Sequence, residues 1–219
     1  MAVQPNKQEE TTRDALMRSI DAPSWAARAK SAERIAALYC RPGLDPATRH
    51  VAEEAFRVLR YDSEAVVRRL LAECVKDAPH LPRDIAMSLA TDVAEVAAPF
   101  LAHSRALGER DLIAILRDHP GPYRMAVARR QPLCEPVADA LCRCGDRAVV
   151  LAVLGNEAAM VGEATLHVVL DDAGDAGDIH EAVAHRKLLP IGIGERLRAL
   201  GGAARPASNV VPLIVGAAG

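Results

Sequence analysis

A repeated pattern of two helices is the sequence feature that most constrains how this chain can fold. From residue 61 onward, an acidic or turn residue opens an apolar helix, a break follows, and a second apolar helix closes the segment. The acidic markers recur regularly, with 30 residues from Asp62 to Asp92. Intervals of 28 and 29 residues separate Asp118, Asp146 and Asp175. One such helix pair cannot bury both of its faces alone, so neighbouring pairs must stack. We therefore predict an all-α protein, a right-handed α-α superhelix built from two-helix repeats.

The composition supports stacked helices rather than a sheet. Hydrophobic residues make up 50% of the 219 residues, but aromatic residues only 3%. Small and unbranched side chains such as Ala and Leu favour helices and let helix axes approach closely, whereas strands favour aromatic and β-branched residues. No segment shows sustained alternation of apolar and polar residues. We expect essentially no strand.

Breaks in the pattern divide the chain into four predicted regions. Residues 1–8 are polar and predicted to be disordered, and residues 9–60 form N-terminal helices that cap the stack. Residues 61–200 hold the repeats, and residues 201–219 form a flexible tail. The apolar strip at 209–215 is either disordered or docks on this protein or on a partner.

Several helix starts are also predicted from the residues that commonly open a helix. Ser24 and Asp45-Pro46 have the residue types that cap and open a helix, and Asp92 with Glu95 has the spacing of a capping box.

Charge and cysteine content limit the classes of function. The net charge is −2 and the isoelectric point is near 6.4, which argues against a nucleic-acid footprint. No signal-peptide core is present, and no apolar run approaches the roughly 20 residues of a membrane span. The five cysteines are dispersed and odd in number, as expected for reduced thiols. We predict a cytoplasmic protein.

Two resemblances extend the prediction. Arg68 follows Asp62 by six residues within Asp-x-x-x-Val-Val-Arg-x-x-Leu-Ala, which resembles the signature of the HEAT repeat. A longer set of residues, including Val96-Ala97-Ala98-Pro99-Phe100-Leu101, Asn156-x-Ala158-Ala159 and His185-Arg186-x-Leu188-x-Pro190, is similar to a bacterial family of uncharacterised proteins, domain of unknown function 2336. This similarity covers about residues 25–200. It implies a HEAT-like architecture and no established activity.

The resemblance also implies a structural role for Asp62 and Arg68. In HEAT-like repeats an acidic and a basic residue at this spacing form a hydrogen-bonded ladder between neighbouring repeats. Loss of one partner from a shielded pair should cost more stability than loss from an exposed pair.

Basic doublets recur at similar places in the repeats. Stacking would align them along one ridge, and arginine binds carboxylates and phosphates through two parallel hydrogen bonds. The alternative is that they are solvated edges or members of the ladder. We predict that this basic ridge is the surface for an acidic protein or peptide partner. Its members are Arg68, Arg69, Arg129, Arg130, His185 and Arg186.

Two clusters of metal-ligand residue types do not have the spacing of a metal site. Cys134, Cys142 and Cys144 are placed on one helix, where Cys142 and Cys144 point to different sides. The carboxylates between Asp171 and Asp178 miss the spacing of a calcium-binding loop. We predict no metal and no cofactor.

The predicted function follows from the repeats and from the lack of a catalytic motif. Neither a nucleophile elbow nor a phosphate-cradling glycine loop is present, so we name no catalytic residue. We predict a non-catalytic protein–protein interaction module, an adaptor or regulatory scaffold. Two alternatives stay open: a nucleic-acid binder of the HEAT-like glycosylase kind, using the rings of Trp25 or Tyr123, and a lyase-type enzyme on the same scaffold.

Overall fold

The computed structural model describes residues 7–78, 80–200 and 210–211, and the side chains of residues 13–78 and 80–200. Within these ranges the chain forms thirteen helices and two strands of two residues each. The predicted all-α class is confirmed. In chain order the elements are α1 (Lys7–Ile20), α2 (Trp25–Tyr39), α3 (Pro46–Leu59), α4 (Ala65–Val75), α5 (Arg83–Ala90), α6 (Ala94–His103), α7 (Glu109–Asp118), α8 (Pro122–Ala128), α9 (Glu135–Cys142), α10 (Arg147–Gly155), α11 (Glu163–Ala173), α12 (Gly177–Ala184), β1 (Leu189–Pro190), α13 (Ile191–Ala199) and β2 (Val210–Val211).

The chain divides into two compact units, residues 1–126 (unit 1) and residues 127–219 (unit 2). The boundary lies within α8, inside the segment 61–200 that the sequence predicts to be a run of repeats. Of the regions predicted to be disordered or flexible, residues 1–6, 201–209 and 212–219 lie outside the described residues.

Unit 1 is built from helices that pack on their second neighbours in the chain. α4 packs on α2 and α6 packs on α4, while α3 packs on α1. α2 buries Ala29, Ala32 and Ala36 along one face, and these small side chains let helix axes approach closely. Phe56 of α3 and Phe100 of α6 fill the larger spaces of the core and are fully buried.

The starts of α3 and α6 in unit 1 differ in whether the predicted capping residue caps the helix. The Asp45 carboxylate accepts a hydrogen bond from the Thr48 amide at 2.9 Å, and Pro46 follows in the first turn, as predicted. The capping box predicted at Asp92 and Glu95 is wrong. Val93 occupies the N-cap of α6, because the carboxylate of Asp92 is held by an arginine of another helix.

In unit 2 the same alternation continues, and short backbone pairings join the connections between helices. α12 packs on α10, and α11 packs on both α9 and α13. Leu133 and Ala159 form a parallel bridge, with the Met160 amide donating to the Leu133 carbonyl at 2.9 Å. β1 and β2 pair in parallel, with Leu189 opposite Val210. The two short strands are an exception to the prediction of essentially no strand.

Candidate interaction surfaces

Two arginine–aspartate pairs of unit 1 each join a helix to the segment just before its second neighbour in the chain. Arg28 of α2 binds the carboxylate of Asp62 through two hydrogen bonds of 2.6 and 2.9 Å. Arg68 of α4 binds Asp92 in the same way, at 2.7 and 2.9 Å. Arg68 also donates to the main-chain carbonyl of Asp62 at 2.6 Å. The two predicted ladder residues therefore touch, but each side chain pairs with a residue of a different helix or connection.

Both pairs are largely shielded from water. The Arg28 and Asp62 side chains are 16% and 6% exposed, and those of Arg68 and Asp92 are 16% and 12% exposed. The hydrogen bond from Arg28 lowers the pKa of Asp62, and the bond to Asp92 raises the pKa of Arg68. This geometry positions helices and leaves little of either guanidinium for a ligand.

The other residue of the basic ridge in unit 1 is exposed. Arg69 bonds with Glu73 one turn later on α4, at 3.1 Å. Arg69 can leave Glu73 for another partner at little cost, because an exposed ion pair of this kind stabilises the protein only slightly.

The four ridge residues of unit 2 differ in how much of their charge reaches solvent. Arg186 is half-buried and donates to the carbonyls of Leu154 and Ala159 at 3.1 and 2.7 Å. Burial lowers the pKa of Arg186 and of Arg130. The role of Arg186 is therefore to hold a connection between helices.

The remaining two ridge residues, Arg129 and His185, are exposed. Arg129 makes no ion pair with any described residue, and His185 Nδ1 lies 2.7 Å from the carbonyl oxygen of Glu181. The predicted ridge residues thus belong to two units and differ in burial, since Arg69, Arg129 and His185 are exposed whereas Arg68, Arg130 and Arg186 are not.

Unit 2 contains a cavity of about 1120 Å³ that the sequence analysis did not anticipate. It is lined by the connection between α10 and α11, by α12 and by the residues that follow α12. Met160 and Leu188 line it and are 61% and 71% exposed. The sequence does contain a sign of this exposure, since both are large apolar residues in connections where small or polar turn residues are expected.

Four carboxylates line this unit-2 cavity, and so do the basic side chains of Arg186 and Lys187. Glu157 pairs with Lys187, and Asp178 pairs with Arg147 outside the lining. Glu135 and Glu181 also line it, and neither carboxylate makes an ion pair within the described residues. Gly162 leaves room for Glu135, because a Cβ at position 162 would clash with the Glu135 carboxylate. The cavity thus combines apolar side chains with two carboxylates, those of Glu135 and Glu181, that make no ion pair within the described residues.

The cysteines and aspartates that the sequence suggests as metal ligands do not form a metal site, because they lie apart or are paired with arginines. Only Cys142 lies within α9; Cys134 is its N-cap and Cys144 follows its end, which corrects the placement of all three on one helix. Burial raises the pKa of Cys142 to about 12. Asp171 and Asp178 each pair with an arginine. The described part of the chain has no group of three or more His, Cys, Asp or Glu residues placed to hold a metal ion.

The two rings that the sequence suggests for base binding, Trp25 and Tyr123, do not line the unit-2 cavity. Tyr123 donates its hydroxyl to the Asp92 carbonyl at 2.6 Å and stacks against His119, with 4.8 Å between ring centroids. Trp25 is half-exposed at the start of α2.

Comparisons with known proteins give one result. The model of a family described as an uncharacterised protein conserved in bacteria (DUF2336) matches residues 96–205. No curated protein and no solved structure matches the chain. Among the helices of the described ranges, none has the length and apolar character needed to cross a membrane.

Proposed function

The chain belongs to the bacterial family of uncharacterised proteins DUF2336, and on that premise we propose that it is a non-catalytic protein–protein interaction module, an adaptor or regulatory scaffold of HEAT-like architecture. The observation that carries the proposal is the exposed apolar pair, Met160 and Leu188, in the unit-2 cavity. The whole cavity lies within the segment that matches the family.

The packing within each unit supports a HEAT-like architecture. Helices pack on their second neighbours, and Arg68 reaches across to Asp92 from one such helix to the start of the next. Repeats of this kind present extended surfaces that suit the recognition of other chains.

The apolar residues of the unit-2 cavity support partner binding. Exposure of a large apolar side chain to water costs free energy. A cluster of exposed apolar side chains marks an interaction site more often than a single one does. Methionine is flexible and polarizable, so Met160 can adapt to the shape of an incoming side chain.

The charge of the cavity indicates the chemistry of the partner. The carboxylates of Glu135 and Glu181 favour lysine or arginine beside the apolar side chains that enter the cavity. The partner of this site is therefore a protein segment with apolar residues flanked by basic ones, unlike the acidic partner predicted from the basic ridge. The five free cysteines are consistent with a reduced, cytoplasmic setting.

The proposal is tested by charging the apolar pair. Full-length protein, wild type or carrying Met160→Glu and Leu188→Glu, is used to capture proteins from native lysate. Captured proteins are then purified, and their affinity is measured by calorimetry. We expect the double variant to weaken binding tenfold or more, because buried glutamates in an apolar contact lose hydration without gaining a partner.

The matched control places the same charges elsewhere. Val58 and Val66 of unit 1 are 50% and 56% exposed and do not line the unit-2 cavity. Val58→Glu with Val66→Glu should leave the affinity unchanged. Equal affinity of both double variants for every purified partner would refute binding at the unit-2 cavity.

A further inference from the structure

Unit 1 has a second groove, of about 640 Å³, between α1 and α2. One wall is formed by α1 and the other by α2 and the turn that follows it. The residues that matter for its chemistry are Leu16 and Ser19 of α1, Arg34 and Leu38 of α2, and Arg41 just beyond α2.

The charge of this α1–α2 groove is opposite to that of the unit-2 cavity. Arg34 and Arg41 are exposed, and neither side chain makes a hydrogen bond or ion pair with the described residues. No described residue of the lining is acidic. In contrast, Arg28 and Arg83 of the same unit each bind an aspartate. The two groove arginines therefore retain their capacity to bind a carboxylate.

The spacing of the arginines bears on the form of the ligand. Arg34 lies on α2, and Arg41 follows the C-cap of this helix, so a continued helical rise over the seven residues would separate their Cα atoms by roughly 10 Å. Leu38 lies between them and is half-buried beside Leu16 of the opposite wall. Both guanidinium groups could hold a single carboxylate, but such a ligand would leave Leu16 and Leu38 uncovered. A helix with two carboxylates seven residues apart reaches both and presents apolar side chains to Leu38.

We propose that the α1–α2 groove binds an amphipathic helix of a partner protein, with carboxylates two turns apart on either side of its apolar residues. Arginine suits this role because its planar guanidinium binds a carboxylate through two hydrogen bonds. The site is independent of the unit-2 cavity. It assigns an acidic partner to residues that the basic ridge did not include.

The test uses a designed peptide and the full-length protein. The peptide has about 18 residues, long enough to be helical, with glutamates seven residues apart and leucines between them. Its counterpart has lysines in place of those glutamates. Binding is measured by fluorescence anisotropy at low and high salt. We expect the glutamate peptide to bind at least tenfold tighter than the lysine peptide, and its affinity to fall with salt.

Variants connect the binding to the two arginines. Arg34→Ala with Arg41→Ala should weaken the glutamate peptide about tenfold. The control, Arg110→Ala with Arg117→Ala, removes two exposed arginines that are also seven residues apart, on α7, and that make no ion pair within the described part of unit 1. This control should bind as the wild type does.

A charge swap separates recognition from loss of structure. Arg34→Glu with Arg41→Glu should reverse the preference, so that the lysine peptide binds more tightly. The proposal is overturned if the wild type does not prefer the glutamate peptide, or if the two alanine double variants bind it equally. It is also overturned if the groove variants instead abolish self-association of the protein in light scattering, because the groove would then bind a second copy.

Discussion

At the scale of single residues, ion pairs differ in how far water screens them. The side chains of Arg68 and Asp92 are 16% and 12% exposed, whereas those of Arg69 and Glu73 are 55% and 38% exposed. A shielded charge that loses its partner is left with a desolvation cost, but an exposed charge is hydrated at once. The two pairs on α4 should therefore respond differently to the same chemical change.

We expect Asp92→Asn to lower the free energy of unfolding by about 1–3 kcal/mol, because Arg68 keeps its charge and loses its ionised partner. The control, Glu73→Gln, should change it by less than about 0.5 kcal/mol. Urea unfolding followed by circular dichroism measures both values. Similar losses for the two variants would show that shielding does not distinguish these pairs.

The contacts of Asp62 and Arg68 show what a residue pattern predicts and what it does not. Their spacing and residue types indicate a ladder, and the two residues do touch. The side-chain partners, Arg28 and Asp92, lie 34 and 24 residues away, so they depend on how helices stack. Local spacing contains no information on that stacking.

Arg186 shows a second limit of prediction from residue type. A doublet such as His185-Arg186 has the composition of an exposed basic patch. The guanidinium of Arg186 instead satisfies two main-chain carbonyls, because the connection near Ala159 leaves acceptors that need a donor. Which carbonyls lack a helical partner becomes clear only from the three-dimensional structure.

At the scale of elements, the connections of unit 2 are held by buried polar side chains. Asn156 is buried, and its amide donates to the carbonyls of Ala128 and Arg130 at 2.9 and 2.8 Å. Its Oδ1 accepts from the Ala158 amide at 3.0 Å. One side chain therefore satisfies three main-chain groups that lie outside the helical hydrogen-bond pattern.

We expect Asn156→Ala to destabilise the protein by about 2–3 kcal/mol, since it leaves buried carbonyls without donors. Asn156→Asp should not restore stability at neutral pH, because a carboxylate keeps the acceptor and loses both donors. The control is Glu157→Ala, which removes an exposed side chain at the next position. Thermal unfolding followed by circular dichroism compares the three. Full stability of Asn156→Asp would mean that the two donated hydrogen bonds contribute nothing.

Helix starts were predictable where the capping interaction is local, as at Asp45, whose partner is three residues away. At Asp92 the same residue type is used by Arg68 from another helix, so the local pattern misleads. Met160 and Leu188 lie in connections that the sequence identifies only as breaks. Their joint place in one cavity follows from how α10, α11 and α12 pack.

At the scale of the whole molecule, both units depend on ionised aspartates. Among the described aspartates that accept a hydrogen bond from an arginine, five have this bond as the largest cause of a pKa below the ordinary value of 3.8. They are Asp62, Asp111, Asp139, Asp171 and Asp178. The two in unit 1 are the better shielded, with Asp62 only 6% exposed and Asp111 only 12% exposed.

The direction of the pH effect follows from proton binding. A carboxylate with a lowered pKa in the folded state binds fewer protons there than in the unfolded state, so its stabilisation is complete above pH 3.8 and lost as the pH falls below it. We expect the melting temperature to be nearly constant from about pH 7 to pH 5 as far as these groups are concerned, and to fall steeply below about pH 4.

Asp62→Asn with Asp111→Asn should lower the melting temperature at neutral pH and reduce its fall in acid, because the unprotonatable amides remove the linkage. Asp171→Asn with Asp178→Asn is the matched control, since these carboxylates are 64% and 42% exposed and water screens their pairs. Differential scanning calorimetry between about pH 3 and pH 7 measures the melting temperatures of the wild type and of both double variants. If Asp62→Asn with Asp111→Asn left the acid slope unchanged, these two shielded carboxylates of unit 1 would not be the source of acid sensitivity, and the loss of stability would have to come from other carboxylates.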